Sequence, residues 1–333
     1  MVSFMPSKTV AAVVLNWNQS AMTLDCLASL AKQERAIEHI IVVDNGSRPE
    51  QRSLLEEGMP AGLRYVPLPE NLGFAGGMNA GVIEAASLGA TYTWLMNNDA
   101  FPEPGCLTAL VAALEADPTL AAVTPRLVGA DDIEQPAGGQ WQAQLGRTIY
   151  LSAEELSQPI GGAGYWAVGT APLFRTDLFQ KFGGFDEGFF AYGEEVDLCL
   201  RLGEAGYRFR SVPEVTAVHL GQGSSGGSEA VGSPFADYLG VRNLFRQSRK
   251  HPPRERGQRL SLEMTARLLD NAGCYQIHGR SDKAKATIQG LIAVMFRESG
   301  KPRWYGRGDR VAGWLARHPW YLVRVCHLLA RNS

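Results

Sequence analysis

The sequence predicts an α/β protein whose central sheet is doubly wound and mainly parallel, with helices on both faces. Three features of the first half lead to this prediction. Short apolar runs alternate with segments of helical periodicity, the runs are rich in valine, and the connections between elements are short. Strands joined in this way are parallel with right-handed crossovers. Residues 1–250 are predicted to form this domain, and residues 251–333 a helical extension with a basic amphipathic tail.

The individual elements follow from this alternation. Residues 10–15 form an uninterrupted apolar run, which predicts the first strand. Ser20 then offers a cap for a helix that runs to about residue 32, with its apolar side chains on one face. Further strands are predicted at 39–43, 63–66, 91–96 and 120–124, and further helices ending near 88, over 104–116, over 237–250 and within 260–297.

Bulk composition excludes several classes of protein. A hydrophobic content of 45% and a charged content of 20% are typical of a globular protein. The formal charge of −2 argues against non-specific nucleic-acid binding. Five widely spaced cysteines favour reduced thiols over a disulfide framework or a zinc site. No apolar run approaches the roughly 20 residues of a membrane helix, and we expect a cytoplasmic protein whose membrane contact is peripheral.

Polar residues follow four of the predicted strands at the point where each strand ends. Because the carboxyl ends of parallel strands share one edge of a sheet, these side chains are expected to line one ligand crevice. Any single asparagine among them is also a common turn residue, so the prediction depends on the whole set. The set comprises Asn16 and Asn18, Asp44 and Asn45, Asn71 and Gly73, and the run from Asn97 through Asn98 to Asp99.

A glycine-rich segment at residues 73–81 opens the third helix. Its spacing and its place after the third strand differ from the dinucleotide-binding fingerprint. Two interpretations remain open from the sequence: the backbone amides approach a phosphate or a sugar, or the glycines allow tight packing of the helix on the sheet.

An ordered series of motifs resembles glycosyltransferase family 2, and most closely its rhamnosyltransferase-like branch, which has the GT-A fold. Each motif is modest, but their order is specific, and the resemblance covers roughly residues 8–250. The first four motifs are Val-Val-Leu-Asn-Trp-Asn at 13–18, Val-Val-Asp-Asn-Gly-Ser at 42–47, Asn-Leu-Gly-Phe-Ala-Gly-Gly at 71–77 and Leu-Met-Asn-Asn-Asp at 95–99. The later ones lie at 168–170, 183–187, 192–198 and His219.

The resemblance implies a nucleotide-sugar donor, carrying dTDP, UDP or GDP, with rhamnose as one candidate sugar. Asp44 matches the acid that contacts the nucleotide base, and Asp99 and His219 match contacts to a divalent metal or the diphosphate. Oxygen ligands favour Mg²⁺ or Mn²⁺, and an imidazole ligand shifts the choice toward Mn²⁺. The remaining candidate donor contacts are Asn16, Asn18, Asn45, Asn71, Gly73, Gly76, Asn79, Asn97 and Asn98.

The pair Glu194–Glu195 resembles the acidic pair that supplies the base of an inverting transfer. The resemblance implies that Glu195 deprotonates the acceptor hydroxyl and that Glu194 supports the acceptor or metal geometry. Adjacent carboxylates repel each other, which raises one pKa, although glutamates are also common at a solvated helix start. The chain departs from the family pattern twice: Asn97 replaces the first acid of the Asp-X-Asp motif, and Glu195 stands where aspartate is expected.

The acceptor side is predicted from residues 135–167, which are rich in Gly, Gln and Trp. Trp166, Gly169 and Thr170 are the candidate contacts to a glycan or lipid-linked acceptor. Trp166 has two open interpretations, because its ring can stack on a sugar face or belong to the core.

The last 37 residues carry eight basic side chains against two acidic ones, and four of the arginines recur every seven residues. A basic amphipathic tail with tryptophans is typical of an anchor on an anionic membrane, here the inner face of the cell membrane. The alternative is a helix that packs on its own domain or on a second copy of the chain.

Two other functions compete with the main expectation, an inverting, metal-dependent glycosyltransferase of cell-surface polysaccharide synthesis. A non-catalytic nucleotide-sugar-binding module is suggested by Asn97 and by the change at Glu195. A sugar-phosphate nucleotidyltransferase is less favoured, because no glycine- and lysine-bearing triphosphate loop follows the first strand.

Overall fold

The computed structural model describes residues 8–162, 164–221, 232–253, 258–303, 305–306 and 309–318. The chain forms two compact units. The first contains the described residues of Met1–Gln140, Ile149–Glu187 and Glu194–Ser224, and the second those of Trp141–Thr148, Gly188–Gly193 and Ser225–Ser333. The division predicted from sequence, 1–250 and 251–333, stays a prediction.

The described elements alternate in the first half and become helical at the end. The strands are β1 (Val10–Asn16), β2 (His39–Asp44), β3 (Arg64–Pro67), β4 (Tyr92–Asn97), β5 (Ala100–Pro102), β6 (Leu120–Val128), β7 (Glu134–Gln135), β8 (Gly138–Gln142), β9 (Arg147–Leu151), β10 (Ile160–Gly161), β11 (Tyr165–Ala167), β12 (Leu173–Arg175) and β13 (Arg208–His219). The helices are α1 (Ser20–Leu30), α2 (Pro49–Gly58), α3 (Gly73–Ser87), α4 (Cys106–Ala116), α5 (Thr176–Lys181), α6 (Glu194–Glu204), α7 (Pro234–Lys250), α8 (Gln258–Ile277), α9 (Ser281–Met295) and α10 (Asp309–Arg317).

The large sheet confirms the predicted class. Its strand order is β10-β13-β6-β12-β4-β1-β2-β3, and β5 and β7 pair at its side with β13 and β6. Strands β4, β1, β2 and β3 are parallel, as are β6 and β13, whereas β12 runs antiparallel to both of its neighbours. A mixed, mostly parallel sheet of this kind brings the ends of β1, β2, β3 and β4 to a common edge.

Helices cover both faces of the sheet. Successive side chains of β1 point to opposite faces, so the two faces of this strand pack against different helices. Val14 belongs to a buried cluster with Leu27 of α1 and Leu107 of α4. On the other face, a Cβ atom added at Gly81 of α3 would collide with the side chain of Val13. The strand therefore reads as a continuous apolar run, as buried parallel strands do.

One local prediction differs from the structure, and one helix is missing from the predicted elements. Ser20 is the first residue of α1 rather than its cap, and its hydroxyl donates a hydrogen bond to the carbonyl of Gln51 at 2.6 Å. Helix α2 is not predicted, because Leu55 is its one buried side chain and the rest of the helix is half-buried or exposed. A helix with so little apolar surface gives almost no periodic signal in the sequence.

The second unit is a helical cluster with its own core. Phe245 of α7, Met264 of α8 and Ile288 of α9 pack together, and α10 contributes Ala312 and Ala316 to the same cluster. Helix α10 therefore packs on its own helical unit through small residues. Its Trp314 side chain remains 43% exposed. The predicted tail beyond residue 318 lies outside the described residues.

Of the helices within the described ranges, none combines the length and the apolar character needed to span a bilayer.

Candidate functional site

The ends of β1 and β2 form a buried hydrogen-bond network. The Asn16 amide nitrogen donates to Asp44 Oδ1 and to Ser47 Oγ, each at 3.1 Å, and its oxygen accepts from the Thr23 hydroxyl at 2.8 Å. Asn16 and Asp44 are fully buried. Asn18, with φ of 57°, accepts a hydrogen bond from the Arg48 amide at 2.8 Å, which holds the turn against the same loop. The structure brings these side chains together at one edge of the sheet.

Asp44 has two further partners that sequence reasoning missed. Its Oδ2 accepts from Arg52 Nε at 2.8 Å and from the Tyr65 hydroxyl at 3.4 Å. The hydrogen bond to Asp44 raises the pKa of Arg52, and burial followed by the charge of Asp44 raises the pKa of Tyr65. Arg52 is 34% exposed and lies on α2, the helix that the sequence did not predict. This helix therefore supplies the cation that pairs with Asp44, the candidate contact to the nucleotide base.

Asn45 and Asn71 fasten the turn after β2 to the start of α3. The Asn45 amide donates to Asn71 Oδ1 at 3.2 Å and to the Gly73 carbonyl at 2.9 Å, and its oxygen accepts from the Leu72 amide. Gly46, with φ of 72°, faces the backbone here, because an added Cβ would lie 2.6 Å from the nitrogen of Asn71. This close approach of two loops requires glycine.

Two glycines of α3, Gly76 and Gly77, leave no room for a side chain. A Cβ at Gly77 would lie 2.5 Å from a methyl group of Leu15, and a Cβ at Gly76 would lie 2.7 Å from the Leu72 side chain. Asn79, a predicted donor contact, donates to the Phe185 carbonyl and accepts from the Phe185 amide, both at 2.9 Å. Of the two interpretations that the sequence left open, these distances favour tight packing for Gly77.

Asp99 and His219 lie together at the end of β4. The antiparallel pairing of β5 with β13 sets His219 opposite Ala100, next to Asp99 in the chain. His219 Nε2 is 3.5 Å from Asp99 Oδ1, and its Nδ1 is 2.7 Å from Gln135 Oε1. The Gln135 amide also donates to the His219 carbonyl at 2.9 Å. A partner at Nδ1 fixes the ring so that Nε2 faces the carboxylate.

The atoms around Asp99 fit a divalent cation. Asp99 is 1% exposed, yet no described residue donates a hydrogen bond to either of its carboxylate oxygens or to Asn97 Oδ1. Such buried, unpartnered oxygens are costly unless a ligand satisfies them. Within the part of the chain that the structure describes, no group of three or more His, Cys, Asp or Glu side chains forms a metal site alone. A cation here therefore needs oxygens from a bound donor or from water.

Asn98 connects this region to the first network. Its amide donates to the Thr23 hydroxyl at 3.1 Å, and Thr23 in turn donates to Asn16. Thr23 was not predicted as a site residue, although it lies one helical turn into α1. The hydrogen bonds thus run without a break from Asp44 to the residue beside Asp99.

Glu194 and Glu195 begin α6 in different surroundings. Glu194 is 4% exposed, and within the described ranges its Oε2 has no hydrogen-bond partner. Burial, and secondly the charge of Glu195, raise the pKa of Glu194 well above its ordinary value. Glu195 is half-buried. Its charge also reaches Tyr150, whose hydroxyl pKa is raised first by desolvation and then by this carboxylate.

The loop between β11 and β12 lies next to both Glu195 and the end of β4. The Asn97 amide donates to the Thr170 carbonyl at 2.9 Å, and a Cβ built at Gly169 would lie 3.7 Å from the Cβ of Glu195. The structure therefore brings Glu195 to the same strand end as Asn97. Trp166 is 3% exposed and packs edge-on against Tyr150, with ring centroids 5.9 Å apart. Its ring belongs to the core, and the exposed surface needed for sugar stacking is missing at Trp166 itself.

In the second unit, helix α7 holds the turn that leads into Glu194. The Asn243 amide donates to the carbonyls of Phe189, Ala191 and Tyr192 at 2.7 to 3.0 Å, and Arg242 donates to Phe189 at 2.6 Å. Tyr192 has φ of 69°, which is unfavourable for a side chain of this size. Two donor side chains, Asn243 and Arg242, bind the carbonyls of this turn and stabilise its conformation.

Comparison with known proteins agrees with the fold and with the motifs. The family described as Glycosyl transferase family 2 matches residues 11–182, just over half of the chain. The galactofuranosyltransferase GlfT1 of Mycolicibacterium smegmatis is 28% identical over 216 residues, which cover 64% of this chain and 71% of that protein. The N-acetylglucosaminyl-diphospho-decaprenol L-rhamnosyltransferase of Mycobacterium tuberculosis is 28% identical over 226 residues, covering 60% of this chain and 72% of that one.

A solved structure shows the same fold at low identity. The mannosyltransferase PcManGT of Pyrobaculum calidifontis, in complex with GDP-Man and Mn²⁺, superposes with a TM-score of 0.53 and 15% identity. The match covers 97% of this chain and 86% of that one.

Proposed function

This chain belongs to glycosyl transferase family 2 and is a glycosyltransferase, and from that premise we propose that it is an inverting, metal-dependent enzyme. It would move a hexose or deoxyhexose, with rhamnose as the first candidate, from a nucleotide-sugar to a hydroxyl of a glycan or lipid-linked acceptor. A relative named for a decaprenol-linked acceptor supports the acceptor class. One observation carries the proposal: Glu195, the Asp99 carboxylate, which accepts no hydrogen bond from the described residues, and the network around Asp44 converge on the carboxyl ends of β1, β2 and β4.

The donor half of the proposal assigns roles by position. Asp44 and Asn16 would contact the nucleotide, with Arg52 shifting aside or pairing with the ligand. Asp99 and His219, with Asn97 Oδ1 nearby, would hold Mn²⁺ or Mg²⁺ together with the donor diphosphate. When bound, such a cation acts as a Lewis acid that offsets the charge growing on the leaving diphosphate. The solved mannosyltransferase contains Mn²⁺, which supports Mn²⁺ as the first metal to test.

The acceptor half of the proposal depends on Glu195. Its carboxylate takes the proton from the acceptor hydroxyl, and the hydroxyl oxygen attacks the anomeric carbon from the face opposite the diphosphate. The new glycosidic bond forms as the bond to the diphosphate breaks, and the configuration inverts. Glu194, whose pKa is raised first by burial and then by the charge of Glu195, would support the acceptor or metal geometry beside the base. A base within reach of the proton contributes typically 10²- to 10⁴-fold to the rate.

Two variants separate the donor half from the acceptor half. Glu195→Gln is expected to bind donor normally and to lose on the order of 10²- to 10⁴-fold in transfer rate. Asp99→Asn is expected to lose the stabilisation that donor and Mn²⁺ give together, which is about 2.7 kcal/mol at a hundredfold excess over Kd. Thermal-shift measurements on a panel of dTDP-, UDP- and GDP-sugars, followed by transfer assays with lipid-linked acceptors, provide both readouts.

Glu204→Gln is the matched control, because it makes the same change at the exposed other end of α6. It is expected to leave binding and transfer unchanged. Donor binding by the wild-type chain without turnover on any acceptor would refute the catalytic proposal and favour a binding module.

A further inference from the structure

The end of α9, in the second unit, exposes two neighbouring large apolar side chains. Met295 is 70% exposed and Phe296 is 62% exposed. Arg297 follows directly, and its φ of 51° ends the helix in the left-handed region. Single exposed apolar side chains are common on protein surfaces, whereas two adjacent ones beside a basic residue need an explanation.

A groove of about 360 Å³ lies beside these residues. Apolar side chains of α7 and α9 form part of its lining, with hydroxyl groups and guanidinium groups among them. Its lining residues are Phe245, Ser248, Arg249, Ser261, Thr265, Val294, Met295 and Arg297. The groove thus joins apolar surface to groups that bind anions.

Among the residues that the structure describes, no acidic side chain pairs with the two arginines of the groove. Burial, and then the charges of Arg297 and Arg246, lower the pKa of Arg249. Over the described ranges of the chain, the contacts of the Arg249 side chain include a hydrogen bond to the Phe245 carbonyl but no carboxylate, and Arg297 has no carboxylate either. By contrast, the buried Arg242 pairs with Glu298 at 3.1 Å. Like charges held close together favour an anion from outside the chain.

We propose that Arg249, Met295, Phe296 and Arg297 form a docking surface for an anionic phospholipid bilayer. The guanidinium groups would bind lipid phosphates, because Arg matches the geometry of phosphate oxygens. Met295 and Phe296 would enter the boundary between headgroups and acyl chains, as apolar side chains of interfacial proteins do. The combination of basic and apolar groups favours a lipid surface over free phosphate, which offers nothing to the apolar pair. Arg297 is also the first basic residue of the predicted tail at 297–333, whose part beyond residue 318 lies outside the described residues.

The expected effect on binding follows from the charge of the bilayer. Each basic residue near an anionic surface contributes about fivefold to partitioning, so the double variant R249Q/R297Q should bind about thirtyfold more weakly. Its loss should shrink as salt increases, because salt screens exposed charges. The variant M295S/F296S should weaken binding at every salt concentration, because apolar burial is not screened.

The experiment measures sedimentation of the full chain with vesicles of phosphatidylcholine, alone or mixed with phosphatidylglycerol. The control R64Q/R147Q removes two exposed positive charges from other places, and I83S removes an exposed apolar side chain that is 65% accessible. Melting temperatures of all variants check that they fold. Binding to phosphatidylglycerol vesicles that falls in both groove variants and stays unchanged in both controls supports the proposal.

Three outcomes would overturn it. The first is vesicle binding that neither groove variant changes. The second is release from vesicles by inorganic phosphate beyond the release by chloride of equal ionic strength, which would identify a free-phosphate site. The third is an oligomer, seen by light scattering, that the groove variants dissociate while vesicle binding is absent, which would make the surface a contact between copies. None of these measurements depends on donor, metal or turnover, so the proposed function can fail independently.

Discussion

The substitution Glu194→Gln tests whether the first glutamate of α6 is buried in its protonated form. Glu194 is 4% exposed, one of its carboxyl oxygens has no hydrogen-bond partner among the described residues, and Glu195 follows it directly. Burial, followed by the charge of Glu195, raises its pKa well above the ordinary value. Glutamine has nearly the same shape and is neutral at every pH. We therefore expect the variant to resemble the protonated wild-type side chain.

The sign of the effect follows from proton linkage. Above the ordinary glutamate pKa of about 4.3, the unfolded chain releases the Glu194 proton while the folded chain still holds it. The unfolded state then binds fewer protons, so the free energy of unfolding of the wild type falls as the pH rises, by about 1.4 kcal/mol per pH unit. The fall continues up to the raised pKa of the folded state. The stabilising contribution of Glu194 is thus fully present below about pH 4.3. It is lost progressively as the pH rises from there to the raised pKa of the folded state.

The assay is denaturant unfolding of wild type and Glu194→Gln at a series of pH values from about 4 to 8. The difference between the two chains should widen with pH in favour of the variant. Glu195→Gln serves as the comparison, because removing the second charge should lower the pKa of Glu194 and narrow the pH window in which stability falls. Parallel stability curves for wild type and Glu194→Gln would refute the reasoning, whatever their offset.

Three further substitutions test packing and buried polar contacts, each by denaturant unfolding. Gly81→Ala should cost about 1–3 kcal/mol, because the added methyl group collides with Val13, and an unchanged stability would contradict the close approach of α3 to the sheet. Arg242→Met should cost about 3–5 kcal/mol, because it removes the cation that pairs with the buried Glu298 carboxylate, and the double variant with Glu298→Leu should recover part of the loss. Asn243→Leu should cost about 1–3 kcal/mol, because three carbonyls lose their shared donor, and it should open the turn to hydrogen exchange.

The sequence predicted the buried half of the fold well. Strands such as β1 and β4 are apolar on both faces, so their composition alone separates them from amphipathic helices. Helix α2 and the antiparallel strand β12 were not predicted, for different reasons. The first has a single buried side chain, and the second is three residues long. Short or weakly buried elements owe their conformation to neighbours that are distant in sequence.

The same limit applies to the candidate site. Asn16, Asp44, Asn97 and Asp99 could be named because each follows directly after an apolar run, where a polar cluster is conspicuous. Gln135 could not be named, because its contact with His219 joins residues 84 positions apart in the chain. Its assignment to the acceptor side was made from composition, and that role stays a prediction. Thr23 and Arg52 lie inside helices, where a polar residue gives no sign that it faces a site.

The neutral side chain of Asn97 favours cooperative binding of the metal and the donor. Asp99 contributes one negative charge to the candidate metal site, His219 is neutral when it acts as a ligand, and Asn97 offers an oxygen without charge. One carboxylate offsets only half the charge of a divalent cation in this buried position, whereas a donor diphosphate brings the remainder. Metal and donor should therefore bind together, and each should raise the affinity of the other by the same factor, as linkage requires. An aspartate at position 97 would add a second charge and weaken that coupling, so Asn97→Asp should bind Mn²⁺ more tightly in the absence of donor.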